Sequence, residues 1–139
     1  MSMSKIFDIA GSAMSAQSTR LNTVASNLAN ADVASSTAEG AYKARHPIFA
    51  SVLSQVGADA RGPAGVQVAG IMQSDQPPRM EYMPGHPLAN SDGYVYFSNV
   101  NTVEEMADMM SASRSYQNNV EMLQTIKELM LRTLQLGDR

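Results

Sequence analysis

The sequence contains no cysteine and no tryptophan, and only 6% of its 139 residues are aromatic. Without cysteine the chain cannot form a disulfide. Aromatic side chains normally fill much of a compact core, whereas methionine, which occurs 11 times, suits irregular and exchangeable contacts. Two interpretations follow: a loosely specified core, or helix contacts with other chains. We favour contacts with other chains.

Basic clusters and long apolar runs are also missing. The net charge is −3 and the Lys and Arg residues are scattered, so we do not expect nucleic-acid binding. No window reaches the length of a transmembrane helix, so we expect no membrane insertion. Asp8, Gly11 and Ser12 interrupt the apolar stretch that a cleavable secretory signal requires. We therefore expect the chain to stay in the cytoplasm or to leave by a route that needs no such signal.

Proline and glycine are nearly absent from both ends of the chain. All six prolines and seven of the nine glycines lie between Gly40 and Gly93. Because both residues oppose helix interiors, the ends can form long helices and the middle cannot. The sequence predicts a single mainly α subunit over 1–139, with a long N-terminal helix (4–32), an extended Pro/Gly-rich middle containing short β-strands or a hairpin (33–101), and a long C-terminal helix (102–137).

Each predicted helix carries a seam at alternating steps of three and four residues, the spacing of a coiled coil. The N-terminal seam comprises Phe7, Ala10, Met14, Gln17, Leu21, Val24, Leu28 and Ala31. The C-terminal seam comprises Met106, Met109, Ser113, Tyr116, Val120, Leu123, Lys127, Met130 and Leu134. The seams could pair within one chain, but two helices alone bury too little surface for a stable core. We therefore expect these residues also to bind partner chains in a coiled-coil-like layer.

Both predicted helices also contain polar residues at positions where a coiled coil would have apolar ones. Gln17, Ser113 and Lys127 interrupt the seams, a pattern that can fix helix register. If the helices are antiparallel, Lys127 can reach an acidic group such as Asp8, on the same chain or a neighbour. The rest of the N-terminal helix is rich in Ser, Thr and Asn, which are poor helix formers. We therefore expect the ends of the isolated chain to be marginally stable and to fold on assembly.

The start of the second helix contains two acidic residues. Thr102 and Glu105 match the T-x-x-E capping box, in which the two side chains satisfy backbone N–H groups. Glu104 and Glu105 also lie in the first turn, where negative charge suits the helix dipole. We assign this pair a structural role.

The middle segment contains three candidate strands. Val66 to Ile71 and Met80 to Met83 are predicted to pair across the turn at Pro77-Pro78. The third candidate, Tyr94 to Phe97, follows the turn signal Asp92-Gly93. The Gly-, Ala- and Pro-rich stretch 56–65 is predicted to be a loop.

No pattern in the sequence indicates catalysis or a cofactor. His46 and His86 each precede a proline, which favours a structural role in extended or turn geometry. No metal-ligand spacing, nucleophile motif or phosphate loop occurs. A small hydrolase using His86 and Asp92 lacks a nucleophile. The sequence therefore predicts a non-enzymatic protein without a cofactor, with a cytoplasmic coiled-coil adaptor or secretion chaperone as the alternative to an assembly subunit.

Three stretches carry a family resemblance. The first runs from Ser4 to Asp32 and includes Asn27-Leu28-Ala29-Asn30; the second includes Pro84-Gly85-His86-Pro87, Gly93, Tyr94 and Asn99; the third includes Ser113, Arg114, Ser115, Tyr116 and Gln117. Together they resemble the rod and hook proteins of the bacterial flagellum, and specifically the short proximal-rod members. One departure is Ser98, where similar proteins often have a proline.

The resemblance implies a structural subunit of the basal-body rod. Such a subunit would be exported by the flagellum's own type III apparatus and would polymerise across the periplasm. Its terminal helices would line the export channel, and its middle segment would reach outward. The implied partners are copies of itself, other rod proteins and the export apparatus.

Overall fold

The computed structural model describes residues 3–53 and 63–137, with side chains over 5–52 and 65–135. In chain order, the elements are α1 (Met3–Ala29), β1 (Arg45–Leu53), β2 (Pro63–Gln73), β3 (Arg79–Tyr82), β4 (Tyr94–Phe97) and α2 (Thr102–Gly137). The predicted architecture of two long terminal helices joined by a middle with short strands is confirmed. All strand pairing in the described part is antiparallel.

The two helices pack against each other in antiparallel orientation. Asn27, near the end of α1, contacts Glu105 in the first turn of α2, and Arg20 contacts Asp108 one turn further along. Their buried apolar residues are small or branched and comprise Ala10, Ala16 and Val24 of α1 with Ala112 and Ile126 of α2. Small side chains allow a close approach, but they bury little apolar area per residue.

The predicted capping box at the start of α2 is wrong. Asn101 is the cap: its Oδ1 accepts hydrogen bonds from the backbone N–H groups of Val103 and Glu104, at 3.1 and 3.5 Å. Thr102 is already the first helical residue. The Glu105 side chain turns toward α1 instead of reaching back to the cap, because it finds a buried partner there.

The predicted hairpin across Pro77-Pro78 is also wrong. β2 pairs with β1, in a register that matches Arg45 with Gln73 and Ser51 with Val66. Residues 56–62 of the predicted loop lie outside the described residues, while 63–65 belong to β2. The hairpin packs on α1, where Ser12 Oγ accepts a hydrogen bond of 3.1 Å from the backbone N–H of Val66. A Cβ at Gly65 would lie 2.6 Å from Ser12 Oγ, so glycine permits this approach.

The second hairpin joins β3 and β4. Its register pairs Arg79 with Phe97 and Tyr82 with Tyr94, whose rings meet edge to face at 5.3 Å. Ser35 forms a further antiparallel bridge with Tyr96, which ties the chain leaving α1 to this hairpin. This bridge therefore holds the β3–β4 hairpin close to the end of α1.

Candidate assembly surface

Asn27 occupies the junction between the helices and the middle segment. Its side chain is fully buried, with 0% relative exposure. Its Nδ2 donates to the backbone carbonyl of Arg45 at 2.8 Å and to Glu105 Oε1 at 2.9 Å. Its Oδ1 accepts from the backbone N–H of Arg45 and from the Tyr42 hydroxyl, both at 3.0 Å. Every hydrogen-bonding position of the amide is used, so Asn27 joins α1, α2 and the start of β1.

The rest of the Asn-Leu-Ala-Asn motif lies at the end of α1. Asn30 Nδ2 donates to the backbone carbonyl of Ser26 at 2.8 Å, and the same carbonyl accepts from the Asn30 backbone N–H at 3.2 Å. Leu28 is half-buried, and Ala29 is exposed. The motif therefore ends the helix and anchors the following chain.

Asn99 performs a similar role at the other end of the middle segment. Its Oδ1 accepts from the backbone N–H of Ala44 at 2.7 Å, and its Nδ2 donates to the carbonyl of Gln76 at 2.8 Å. The neighbouring Ser98 is buried, and its Oγ accepts from the N–H of Val100 at 2.9 Å. This hydrogen bond shapes the chain between β4 and α2.

The Pro84-Gly85-His86-Pro87 motif forms the turns that connect β3 with β4. His86 Nδ1 accepts from the backbone N–H of Leu88 at 3.1 Å, which gives this histidine the structural role predicted for it. Gly93 has φ of +82°, and a Cβ there would lie 2.8 Å from the Tyr82 ring. Both the backbone conformation and the space require glycine. Pro84, Gly85 and Pro87 are exposed, and Tyr94 is half-buried.

The N-terminal seam lies largely on the inner side of α1. Ala10, Val24 and Ala31 are buried, whereas the other members are half-buried, namely Phe7, Met14, Gln17, Leu21 and Leu28. Sequence reasoning missed Ala16 and Thr23, which are buried on the same side. Gln17 Oε1 is buried without a hydrogen-bond partner among the described residues.

The C-terminal seam is rotated relative to its predicted position. The residues of α2 buried within the chain are Glu105, Ala112 and Ile126, each one position before the predicted Met106, Ser113 and Lys127. Met106, Lys127 and Leu134 are exposed; Met109, Tyr116, Val120, Leu123 and Met130 are half-buried. Lys127 and Asp8 form no ion pair within the described part of the chain. Whether these residues bind partner chains stays a prediction.

Exposed apolar residues surround the buried arc of α2. We call them the outer surface of α2; they comprise Val103, Met106, Met110, Met122, Leu129, Leu131 and Leu134, with exposures from 43% to 74%. At 3.6 residues per turn, Met106 and Leu129 lie on opposite sides of the helix face that packs on α1. Large apolar side chains that are exposed on several sides of one helix are typical of a helix that contacts other chains.

Other site types find no support in the described residues. No group of three or more His, Cys, Asp or Glu among them is arranged to hold a metal ion. Of the helices described, none has the length and apolar content to cross a membrane. Arg114 is exposed on α2 beside Met110 and Asn118.

Comparisons with known proteins agree with this geometry. A family model for flagella basal body rod proteins matches residues 7–34, and a model for the C-terminal part of flagellar basal body rod FlgEFG proteins matches residues 91–136. These segments coincide with α1 and with the stretch from the β4 turn through α2. The chain is thus of the flagellar basal-body rod class.

Full-length relatives narrow the assignment. The chain is 49% identical to flagellar basal-body rod protein FlgC of Salmonella typhimurium strain LT2, over 99% of both chains. It is 52% identical to FlgC of Escherichia coli O157:H7 over 99% of both, and 32% identical to FlgC of Bacillus subtilis strain 168 over 94% of this chain and 95% of the relative. The chain belongs to the FlgC family of flagellar basal-body rod proteins. It is a structural subunit and not an enzyme.

Proposed function

We propose that this protein polymerises in the proximal rod through its terminal helices, with copies of itself and with other rod proteins. The observation that carries the proposal is the outer surface of α2, where Met106, Met110 and Leu129 are each more than half exposed. Burial of these side chains against neighbouring helices supplies the apolar contact that the single chain lacks.

The helices and the middle segment have different roles in this assembly. α1 and α2 form a layer around the export channel, and the seam residues bind the helices of neighbouring subunits. The two hairpins extend from this layer toward other subunits. Asn27 fixes the middle segment to the helices, and Asn99 ties two parts of the middle segment together, so torque applied to one part of the subunit passes to the rest.

The subunit reaches the periplasmic span of the rod through the flagellar type III export apparatus. The family membership supports the rod location on which this route rests. The alternative of a cytoplasmic adaptor or chaperone is set aside because the family is one of rod proteins.

Deletion of the protein should abolish swimming without affecting growth, and basal bodies should lack a complete rod. A sharper test is Met110→Glu, which puts a charge on the outer surface of α2 at a position 60% exposed in the free chain. The variant should fold normally, but burying the unpaired carboxylate in an interface should prevent rod assembly.

The matched control is Met110→Gln, which introduces a polar side chain of similar size at the same position without a charge. Motility and basal bodies purified by centrifugation report assembly, and circular dichroism reports the fold. If Met110→Glu forms normal rods, α2 does not use this surface for polymerisation.

A further inference from the structure

An acidic cavity of about 400 Å³ lies between the start of β1 and the first turns of α2. It is lined by His46, Glu104, Glu105, Ala107 and Asp108. Asp108 already accepts a hydrogen bond of 2.7 Å from the Arg20 guanidinium. Three carboxylates face one arginine and one histidine here, so the cavity favours an additional positive charge.

Glu105 is the unusual member of this group. It is only 3% exposed, and its Oε1 accepts a hydrogen bond from Asn27 Nδ2. Its Oε2 is buried and has no hydrogen-bond partner in the described part of the chain. A buried carboxylate oxygen without a donor is unfavourable, so the site is incomplete in the single chain.

Burial raises the pKa of Glu105, and the hydrogen bond from Asn27 and the charge of His46 oppose this only in part. His46 is itself exposed. Burial therefore disfavours the ionised carboxylate in the free subunit, and a donor with positive charge would remove that penalty.

We propose that a lysine or arginine side chain of a neighbouring copy of this chain enters the cavity, and that Glu105 Oε2, which is covered in the single chain, turns to accept a hydrogen bond from it. The inference rests on the proposed self-assembly and names a contact within it. Suitable cations are present on α2: Arg114, Lys127 and Arg132 are exposed and form no ion pair within the described residues. Arginine fits best, because its planar guanidinium can bind the carboxylate and still donate to Glu104.

The first test is Glu105→Gln, with Glu121→Gln as the matched control at an exposed position of α2. The glutamine keeps an oxygen that accepts from Asn27 and removes the charge. Each tagged variant is expressed together with the wild-type protein, and its share in purified basal bodies is compared with its share in the cell. We expect the share of Glu105→Gln to fall by about tenfold or more, and that of Glu121→Gln to stay unchanged.

Stability of the free subunit separates this proposal from a purely internal role. Glu105→Gln should unfold at the same temperature as the wild type or higher, because a neutral amide costs less to bury than a carboxylate. A lower melting temperature would show that the carboxylate has a donor within the chain and would overturn the proposal. Equal incorporation of Glu105→Gln and wild type would also overturn it.

Cross-linking gives a second, independent measurement, because the chain has no cysteine of its own. Ala107→Cys, at the rim of the cavity, is combined in turn with Asn118→Cys, Gln124→Cys and Glu128→Cys, which lie about one helical turn from Arg114, Lys127 and Arg132 and leave these cations in place. One combination should give disulfide-linked dimers in assembled rods and none in the free protein. If none cross-links while Met110→Glu still blocks assembly, the cavity proposal fails and the proposed function stands. If Met110→Glu also assembles normally, the proposed function fails as well.

Discussion

Asn27 shows how one residue can determine how the helices and the middle segment are arranged. It lies on α1, yet its four hydrogen bonds all go to residues outside that helix. The amide replaces the hydrogen bonds that the backbone of Arg45 would otherwise make within a sheet or with water. The family motif at the end of α1 is therefore a structural feature of the subunit.

Replacing this amide should be costly. Asn27→Ala leaves the N–H and carbonyl of Arg45 and the carboxylate of Glu105 buried without partners, and we expect a loss of about 3 kcal/mol or more in the free energy of unfolding. Urea unfolding followed by circular dichroism measures this. Asn22→Ala, at an exposed position of α1, is the control and should change stability by less than about 1 kcal/mol. Equal effects of the two substitutions would contradict this role.

Glu105 should make stability depend on pH. Burial raises its pKa in the folded chain above the ordinary value of 4.5, so the folded state holds this proton more tightly than the unfolded state. The resulting stabilisation is fully present below the unfolded pKa and is lost as the pH rises through the folded pKa. The free energy of unfolding of wild type minus that of Glu105→Gln should therefore decrease from pH 4 to pH 7. A difference that is constant over this range would refute the prediction.

At the scale of elements, the helices were predictable and the strand pairing was not. Helices followed from where Pro and Gly are absent and from the three- and four-residue spacing, both of which are local signals. The pairing of β1 with β2 joins two consecutive strands, but the sequence did not indicate β1, because Pro47 within it weakened the strand signal. Pro77-Pro78 resembled a hairpin turn, but β3 pairs with β4 instead, where Gly93 closes the connection.

The face of α2 that packs on α1 also differs from the one that the apolar pattern indicated. A pattern of apolar residues places Met106 inside and Glu105 outside, because a charged residue normally faces solvent. The structure reverses this, since Asn27 offers Glu105 a buried hydrogen bond and α1 presents small side chains there. Two polar residues that meet across an interface leave no periodic signal in either helix. Only the unusual density of polar residues along α1 hinted that this face was not simply solvated.

The turn between β3 and β4 is predicted to require glycine at position 93. Gly93→Ala would place a Cβ on a residue with positive φ, only 2.8 Å from the Tyr82 ring. We therefore expect the free energy of unfolding to fall by about 1–3 kcal/mol. Gly85→Ala is the control, because a Cβ there meets nothing within 4 Å. Thermal unfolding reports stability, and near-ultraviolet circular dichroism reports the Tyr82–Tyr94 contact. An equally tolerated Gly93→Ala would mean that the turn can change conformation at little cost.

At the scale of the whole molecule, the interactions that hold the fold in place are distributed unevenly along the chain. The centre, where Asn27, Glu105, Asn99 and both hairpins meet, is tied together by hydrogen bonds between distant parts of the chain. The part of α2 after the buried Ile126 has exposed Leu129, Leu131 and Leu134 and depends mainly on its own helix hydrogen bonds. Parts of a fold that have few contacts with the rest open locally, and the free energy of this local opening is well below that of global unfolding.

We therefore expect the ends of the free subunit to be largely unfolded and to become helical when it joins the rod. Isolated helical turns are marginal in water, and apolar residues on both sides of α2 gain burial only from neighbouring chains. Hydrogen exchange of the dilute monomer should show rapid exchange over 127–135 and strong protection around Asn27. In assembled rods the same α2 amides should become protected, and far-ultraviolet circular dichroism should show helicity rising when partner rod subunits are added. Uniform protection along α2 in the monomer, with one cooperative melt at full helicity, would show instead that the subunit enters the rod already folded.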